Sequence, residues 1–204
     1  MPQSRFPRVF CIRINQTFAQ SGCWKMEFIE KTLESKRIYD GRVVSLRVDT
    51  VLLPDGNIAS REVVEHKGAV AVVPMLVDGS VILVRQFRQP VGAILSEIPA
   101  GTLDKFESAE DCARRELIEE TGYAAGTLIL MFSTYLSPGY SNEMLHTFLA
   151  RDLSPADGRA DSDEFLEVVT VPLAEAVDMI RTGEIKDAKT VCGLLMAQRI
   201  LGQS

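Results

Sequence analysis

Gly101-Thr102-Leu103-Asp104-Lys105-Phe106-Glu107-Ser108-Ala109-Glu110-Asp111-Cys112-Ala113-Arg114-Arg115-Glu116-Leu117-Ile118-Glu119-Glu120-Thr121-Gly122-Tyr123 is the stretch on which the fold turns. Ser108 followed three residues on by Asp111 is a capping-box start. Gly122 is a C-terminal stop. Between them the spacing predicts a helix over Ser108–Thr121. Ala109, Ala113 and Leu117 recur four apart and supply its apolar stripe. Glu116, Glu119 and Glu120 fall at i, i+3 and i+4, on one helix face. Three like charges there repel and weaken a helix that has no other task.

One relief is an ordinary solvated acidic face, with Arg115 reaching Glu119 or Asp111 one turn away. The other is a cation. Pro99 and Gly101, just upstream, let backbone approach the same place. Oxygen-only donors rich in carboxylate suit Mg²⁺ or Mn²⁺, ions that bind through substrate phosphates. A loop and helix of this form suit a metal-bound pyrophosphate.

Outward from the helix, the chain reads as short strands. Lys36–Thr50 alternates about a turn at Asp40-Gly41, and Leu52–Glu65 about Pro54-Asp55-Gly56-Asn57. Ala69–Leu76 is a continuous apolar strand, turned by Asp78-Gly79 into Val81–Gln86. Ile94–Ile98 is a further strand, halted by Pro99. Beyond the helix, strands are expected at Leu128–Tyr135, Met144–Ala150 and Val168–Val171. An acidic loop is expected at Asp157–Asp163, and helices at Leu173–Arg181 and Asp187–Leu201. Strands, helix, strands, helices in that order favour a mixed α/β sandwich over a doubly wound sheet.

The whole chain has 204 residues, with 22 basic and 28 acidic side chains, a net charge of −6. Residues 1–25 contain Arg5, Arg8, Arg13 and Lys25 with no acid, so they carry +4 and the remainder −10. The acidic balance argues against a nucleic-acid partner. It leaves an anionic substrate open if cations stand between. No apolar run reaches the ~18 residues of a membrane span, so no membrane is expected. Cys11, Cys23, Cys112 and Cys192 show no C-x-x-C pair, which fits free thiols and a cytoplasmic location. The leader is expected to lie outside the fold. An over-long translation start, a native extension and a transit peptide all remain open for it.

The stretch Gly101–Tyr123 resembles the Nudix box, G-x5-E-x7-R-E-U-x-E-E-x-G-U with U a bulky apolar residue. Every fixed position matches, with an aromatic Tyr123 at the last. From Met26 to about Leu201 the chain resembles the ADP-ribose pyrophosphatase branch of that family. The further matches are Arg61–His66, Gln86-Phe87-Arg88, Glu97–Gly101, Ser137-Pro138-Gly139, Asp163–Val168 and Gly183–Thr190. Pro138 stands sixteen residues after Gly122, the placement associated with this branch.

The resemblance implies a Nudix α/β/α sandwich with a mixed sheet over residues 69–204, preceded by an N-terminal antiparallel sheet over residues 26–68. It implies a homodimer with exchanged N-terminal strands, so that Arg61 acts across the interface. It implies two or three Mg²⁺ (or Mn²⁺) ions held by Glu116, Glu120, the Ala100 carbonyl and Glu107, with Glu119 as a further ligand or supporting group. Arg115 would orient the carboxylates. Glu164 is the expected catalytic base, with Asp161 and Asp163 as competitors. Arg61, Arg88, Glu97 and Glu143 are the expected substrate contacts. His66 and His146 read as structural, and Cys112 has no matched catalytic partner.

The implied activity is hydrolysis of ADP-ribose to AMP and ribose 5-phosphate. The same chemistry on other nucleoside diphosphate sugars or dinucleoside polyphosphates stands as the alternative. A sensor that binds ADP-ribose without cleaving it fits poorly, because every box glutamate is present.

Overall fold

The computed structural model describes residues 28–158 and 165–202. The N-terminal sheet is β1 (Lys31–Asp40), β2 (Ser45–Leu52) and β3 (Ile58–Glu65), antiparallel in that order. Its turns fall at the two expected places, and β1 begins five residues before the alternation at Lys36. Every residue of β1 is exposed, including Leu33, Ile38 and Tyr39.

Two further sheets follow. β4 (Ala69–Pro74), β7 (Ala100–Thr102), β8 (Tyr123–Tyr135) and β9 (Met144–Pro155) form a four-stranded sheet in the order β7-β4-β9-β8. Its β4–β9 pair is parallel, so the sheet is mixed. β5 (Ser80–Arg88), β6 (Ala93–Glu97) and β10 (Leu166–Pro172) form a three-stranded sheet in the order β10-β5-β6. Helix α1 (Ala109–Thr121) covers one side, and α2 (Leu173–Thr182) and α3 (Ala188–Leu201) cover the other.

The unbroken apolar run of β4 follows from this layering. Ala69, Ala71 and Val73 pack into the core beneath α2 and α3, with Leu83, Ile98, Leu149 and Leu194. Val70 and Val72 pack on the opposite side against Cys112, Ala113 and Leu117 of α1. A strand buried on both faces has no polar face to show.

Strand β7 was not expected. Three residues are too few to carry a period, and it exists because Ala100–Thr102 pairs antiparallel with Ala69–Ala71. Strands β8 and β9 run past their expected limits, to Tyr123 and to Pro155, because they pair with each other as far as Tyr123 and Pro155.

Candidate active site

Helix α1 begins as its sequence dictates. Ser108 accepts a hydrogen bond from the Asp111 N–H at 3.1 Å, and Gly122 ends the helix with φ of 72°. The glutamate face of α1 then lies against β7. The Ala100 N–H donates to Glu120 Oε2 at 3.0 Å, and Glu120 is 4% exposed. The carboxylate of Glu116 occupies the space beside the Gly101 Cα.

Arg115 gathers the other carboxylates. Its Nε and Nη2 donate to the two oxygens of Glu107 at 2.9 and 3.0 Å. Its Nη1 donates to Glu116 at 2.7 Å and to Glu119 at 2.9 Å. The Asp111 carboxylate accepts from the hydroxyl of the capping Ser108 instead of taking the arginine. The Arg115 hydrogen bonds hold the Glu107 carboxyl well below its ordinary range, at about 2. Those same bonds push the guanidinium pKa higher still. Burial and the nearby Glu107 drive the Cys112 thiol up to about 12, which disfavours the reactive thiolate.

A second polar network stands on the α3 side. Glu97 is 1% exposed and accepts a bidentate pair from Arg88 at 2.9 and 2.8 Å. Lys189 donates to the same carboxylate and to Asp187. Burial pushes the Glu97 pKa up, but the bonds from Arg88 and Lys189 outweigh it and leave it lowered. Asp187 caps α3 by accepting from the Thr190 N–H at 3.1 Å.

Between the two networks opens a cavity of about 410 Å³. Ala100 and Gly101 form one wall, Arg88, Asp187 and Lys189 another, and Ser137, Glu143 and His66 a third. The structure thus brings Arg88, Ala100 and Glu143 to one space, with Glu120 and Glu116 against the strand that forms its wall. Glu97 stands behind the wall and fixes Arg88, both of its oxygens being taken by Arg88. Arg61 is on β3, paired with both oxygens of Glu30, and is not part of the cavity wall. Glu164, Asp161 and Asp163 lie outside the described residues.

Two groups escaped the sequence. Lys189 and Asp187 belong to the Gly183–Thr190 segment, whose pattern was visible but whose roles were not. His66 looked structural, as a histidine beside a strand does, yet it lines the cavity. His146 pairs with Ser133 Oγ at 2.7 Å across the β8–β9 ladder.

The donor set of α1 and β7 is carboxylate and backbone oxygen, the chemistry of hard divalent cations. Among the described residues no group of three or more acidic, histidine or cysteine side chains is already drawn into a metal-binding cluster. Arg115 holds three of the four box carboxylates instead.

Residues 65–194 match the NUDIX domain, and residues 30–64 match the nucleoside diphosphate sugar hydrolase N-terminal domain. The chain is 43% identical over 171 residues to an ADP-ribose pyrophosphatase of Bacillus subtilis (strain 168), covering 83% of this chain and 92% of that one. It is 40% identical over 148 residues to a GDP-mannose pyrophosphatase of Yersinia enterocolitica, covering 68% and 77%. Its fold superposes on a crystal structure of an ADP compounds hydrolase with a TM-score of 0.77 at 26% identity, covering 86% and 96%. With the box matched at every fixed position and its glutamates drawn against β7, the chain belongs to the Nudix family of hydrolases.

Proposed function

We propose that the chain hydrolyses the diphosphate bond of ADP-ribose to AMP and ribose 5-phosphate. The observation that carries this is the placement of the glutamate face of α1 against β7, the strand that walls a cavity also presenting Arg88, Lys189 and Glu143. The 43% identity to an ADP-ribose pyrophosphatase supports the substrate.

Glu116 and Glu120, with the Ala100 carbonyl, Glu107 and Glu119, would hold two or three Mg²⁺ or Mn²⁺ ions. Bound there, such ions neutralise the diphosphate and lower the pKa of a water. Arg115 keeps the carboxylates aligned through its four hydrogen bonds to Glu107, Glu116 and Glu119. Arg88, fixed from behind by Glu97, presents a guanidinium suited to phosphate or base. Glu143 accepts hydroxyls of the terminal ribose. Glu164 takes the proton from the attacking water.

The active form is a homodimer in which residues 26–68 form the exchanging sheet and residues 69–204 the hydrolase unit. The exposed apolar side chains Leu33, Ile38 and Tyr39 of β1 support this, because apolar surface left open to water favours association. Arg61 then reaches the partner's site. Turnover of ADP-ribose by purified protein, dependent on Mg²⁺ and yielding AMP, is the expected result. Absence of turnover at millimolar Mg²⁺ and Mn²⁺ would refute it.

GDP-mannose is the second substrate to test, on the 40% identity to a GDP-mannose pyrophosphatase. A higher kcat/KM on GDP-mannose than on ADP-ribose would reverse the order.

A further inference from the structure

His66 follows β3 and its side chain is only 7% exposed. Its ring is oriented by the backbone. The Gly68 N–H donates to His66 Nδ1 at 3.1 Å, so Nδ1 accepts and the neutral ring carries its proton on Nε2. Gly68 holds this turn with φ of +96°, and a Cβ there would meet Leu103 and the Met144 carbonyl at 3.1 and 3.3 Å. The His66 N–H is itself tied to Asn142 Oδ1 at 2.9 Å. The imidazole is therefore a fixed group on the cavity wall.

Among the described residues nothing accepts from Nε2. The sealed, partnerless polar side-chain atoms among them are Arg47 Nε and Thr147 Oγ1, so Nε2 is not a sealed, orphaned atom, and His66 itself lines the cavity. Glu143 Oε1 stands 3.7 Å from His66 Nδ1, beyond hydrogen-bond distance, and Glu143 lines the same cavity. A fixed imidazole and a carboxylate that line one cavity match the vicinal hydroxyls of a sugar, each of which both donates and accepts. Fixed polar groups in a cavity are what separate one substrate from another.

We propose that His66 is a specificity-determining residue that donates from Nε2 to a hydroxyl of the sugar on the far side of the diphosphate, next to Glu143. The inference rests on the ADP-ribose reading. Its test is steady-state turnover of ADP-ribose by wild type, His66→Gln, His66→Phe and His66→Leu, with ADP as a competitive inhibitor. ADP has the nucleoside and the diphosphate but lacks the second sugar.

In the Phe and Leu variants the KM for ADP-ribose should rise about tenfold, the scale of one lost hydrogen bond. The Ki for ADP should stay within twofold. His66→Gln, which keeps a side-chain N–H, should fall between them and wild type. Equal rises in KM and in the ADP Ki would make His66 a wall-packing residue and overturn the proposal. So would an unchanged KM, or failure of both apolar variants to fold. No turnover of ADP-ribose by wild type would instead sink the functional reading, and this inference with it.

Discussion

Glu116 fills the space that a side chain at Gly101 would need: a Cβ there would stand 1.9 Å from both Cδ and Oε1 of the carboxylate. The glycine of the box is thus a matter of volume, since the acid must lie directly on the strand. Gly101→Ala should push Glu116 off β7. Displacement of a reacting group by about 1 Å costs roughly 100-fold in rate. We expect a kcat/KM loss of at least that size with a cooperative thermal melt retained, checked by kinetics and calorimetry on the same sample.

Glu120→Gln keeps an oxygen that can accept from the Ala100 N–H, so the helix should stay docked while the charge is lost. Glu116→Gln likewise preserves shape. Both should lose more than the roughly 100-fold that removal of a supporting partner costs a metal site. Mg²⁺ titration by calorimetry should weaken in parallel. Unchanged turnover in both variants would refute the metal assignment.

The Glu107–Arg115 pair makes stability depend on acid pH. Glu107 titrates near 2 in the fold, against an ordinary value of 4.5. A lowered carboxylate pKa stabilises above the unfolded value, and that contribution fades as pH falls through the folded one. Urea unfolding of wild type and Glu107→Gln should therefore differ most near neutral pH. The two should converge from pH 4.5 down towards 2.

Glu97 is the buried keystone of the other network, with Arg88 and Lys189 as its cations. Glu97→Gln leaves Lys189, whose side chain is 12% exposed, with only Asp187. Breaking a buried pair in this way costs about 3 kcal/mol. Chemical denaturation should show that loss. Arg88→Lys should lower affinity for ADP-ribose more than it lowers stability, because an ammonium cannot make the two-pronged bond to Glu97.

The Cys112 thiol, buried and raised to about 12, should resist alkylation at pH 8 in the folded protein, whereas exposed Cys192 should react. Peptide mass spectrometry after iodoacetamide treatment separates the two.

Helix α1 was legible because its signals are local: a serine, an aspartate three residues on, and a glycine after the last turn. The same holds for β4, whose apolar run announces burial on both faces. β7 was not legible, since three residues become a strand only through a partner some thirty positions away. Glu97 was read as a substrate contact from its motif alone. Its oxygens go to Arg88 and Lys189, a pairing over 92 positions for the latter that no spacing rule reveals. The surroundings of His66 are hidden from the sequence for a similar reason, since they consist of a backbone N–H two residues on and a carboxylate from the loop before β9.

The junction between β3 and the loop after β8 has a bearing on how this architecture tolerates rearrangement. The Val64 N–H donates to the Tyr140 carbonyl at 2.8 Å, Asn142 N–H to the Val64 carbonyl at 3.2 Å, and the His66 N–H to the Asn142 side chain. The end of β3 is stitched to the rim of the cavity by these three bonds. A chimera that takes the sheet from a relative has to bring residues 137–142 with it, because the two segments form one inheritable unit.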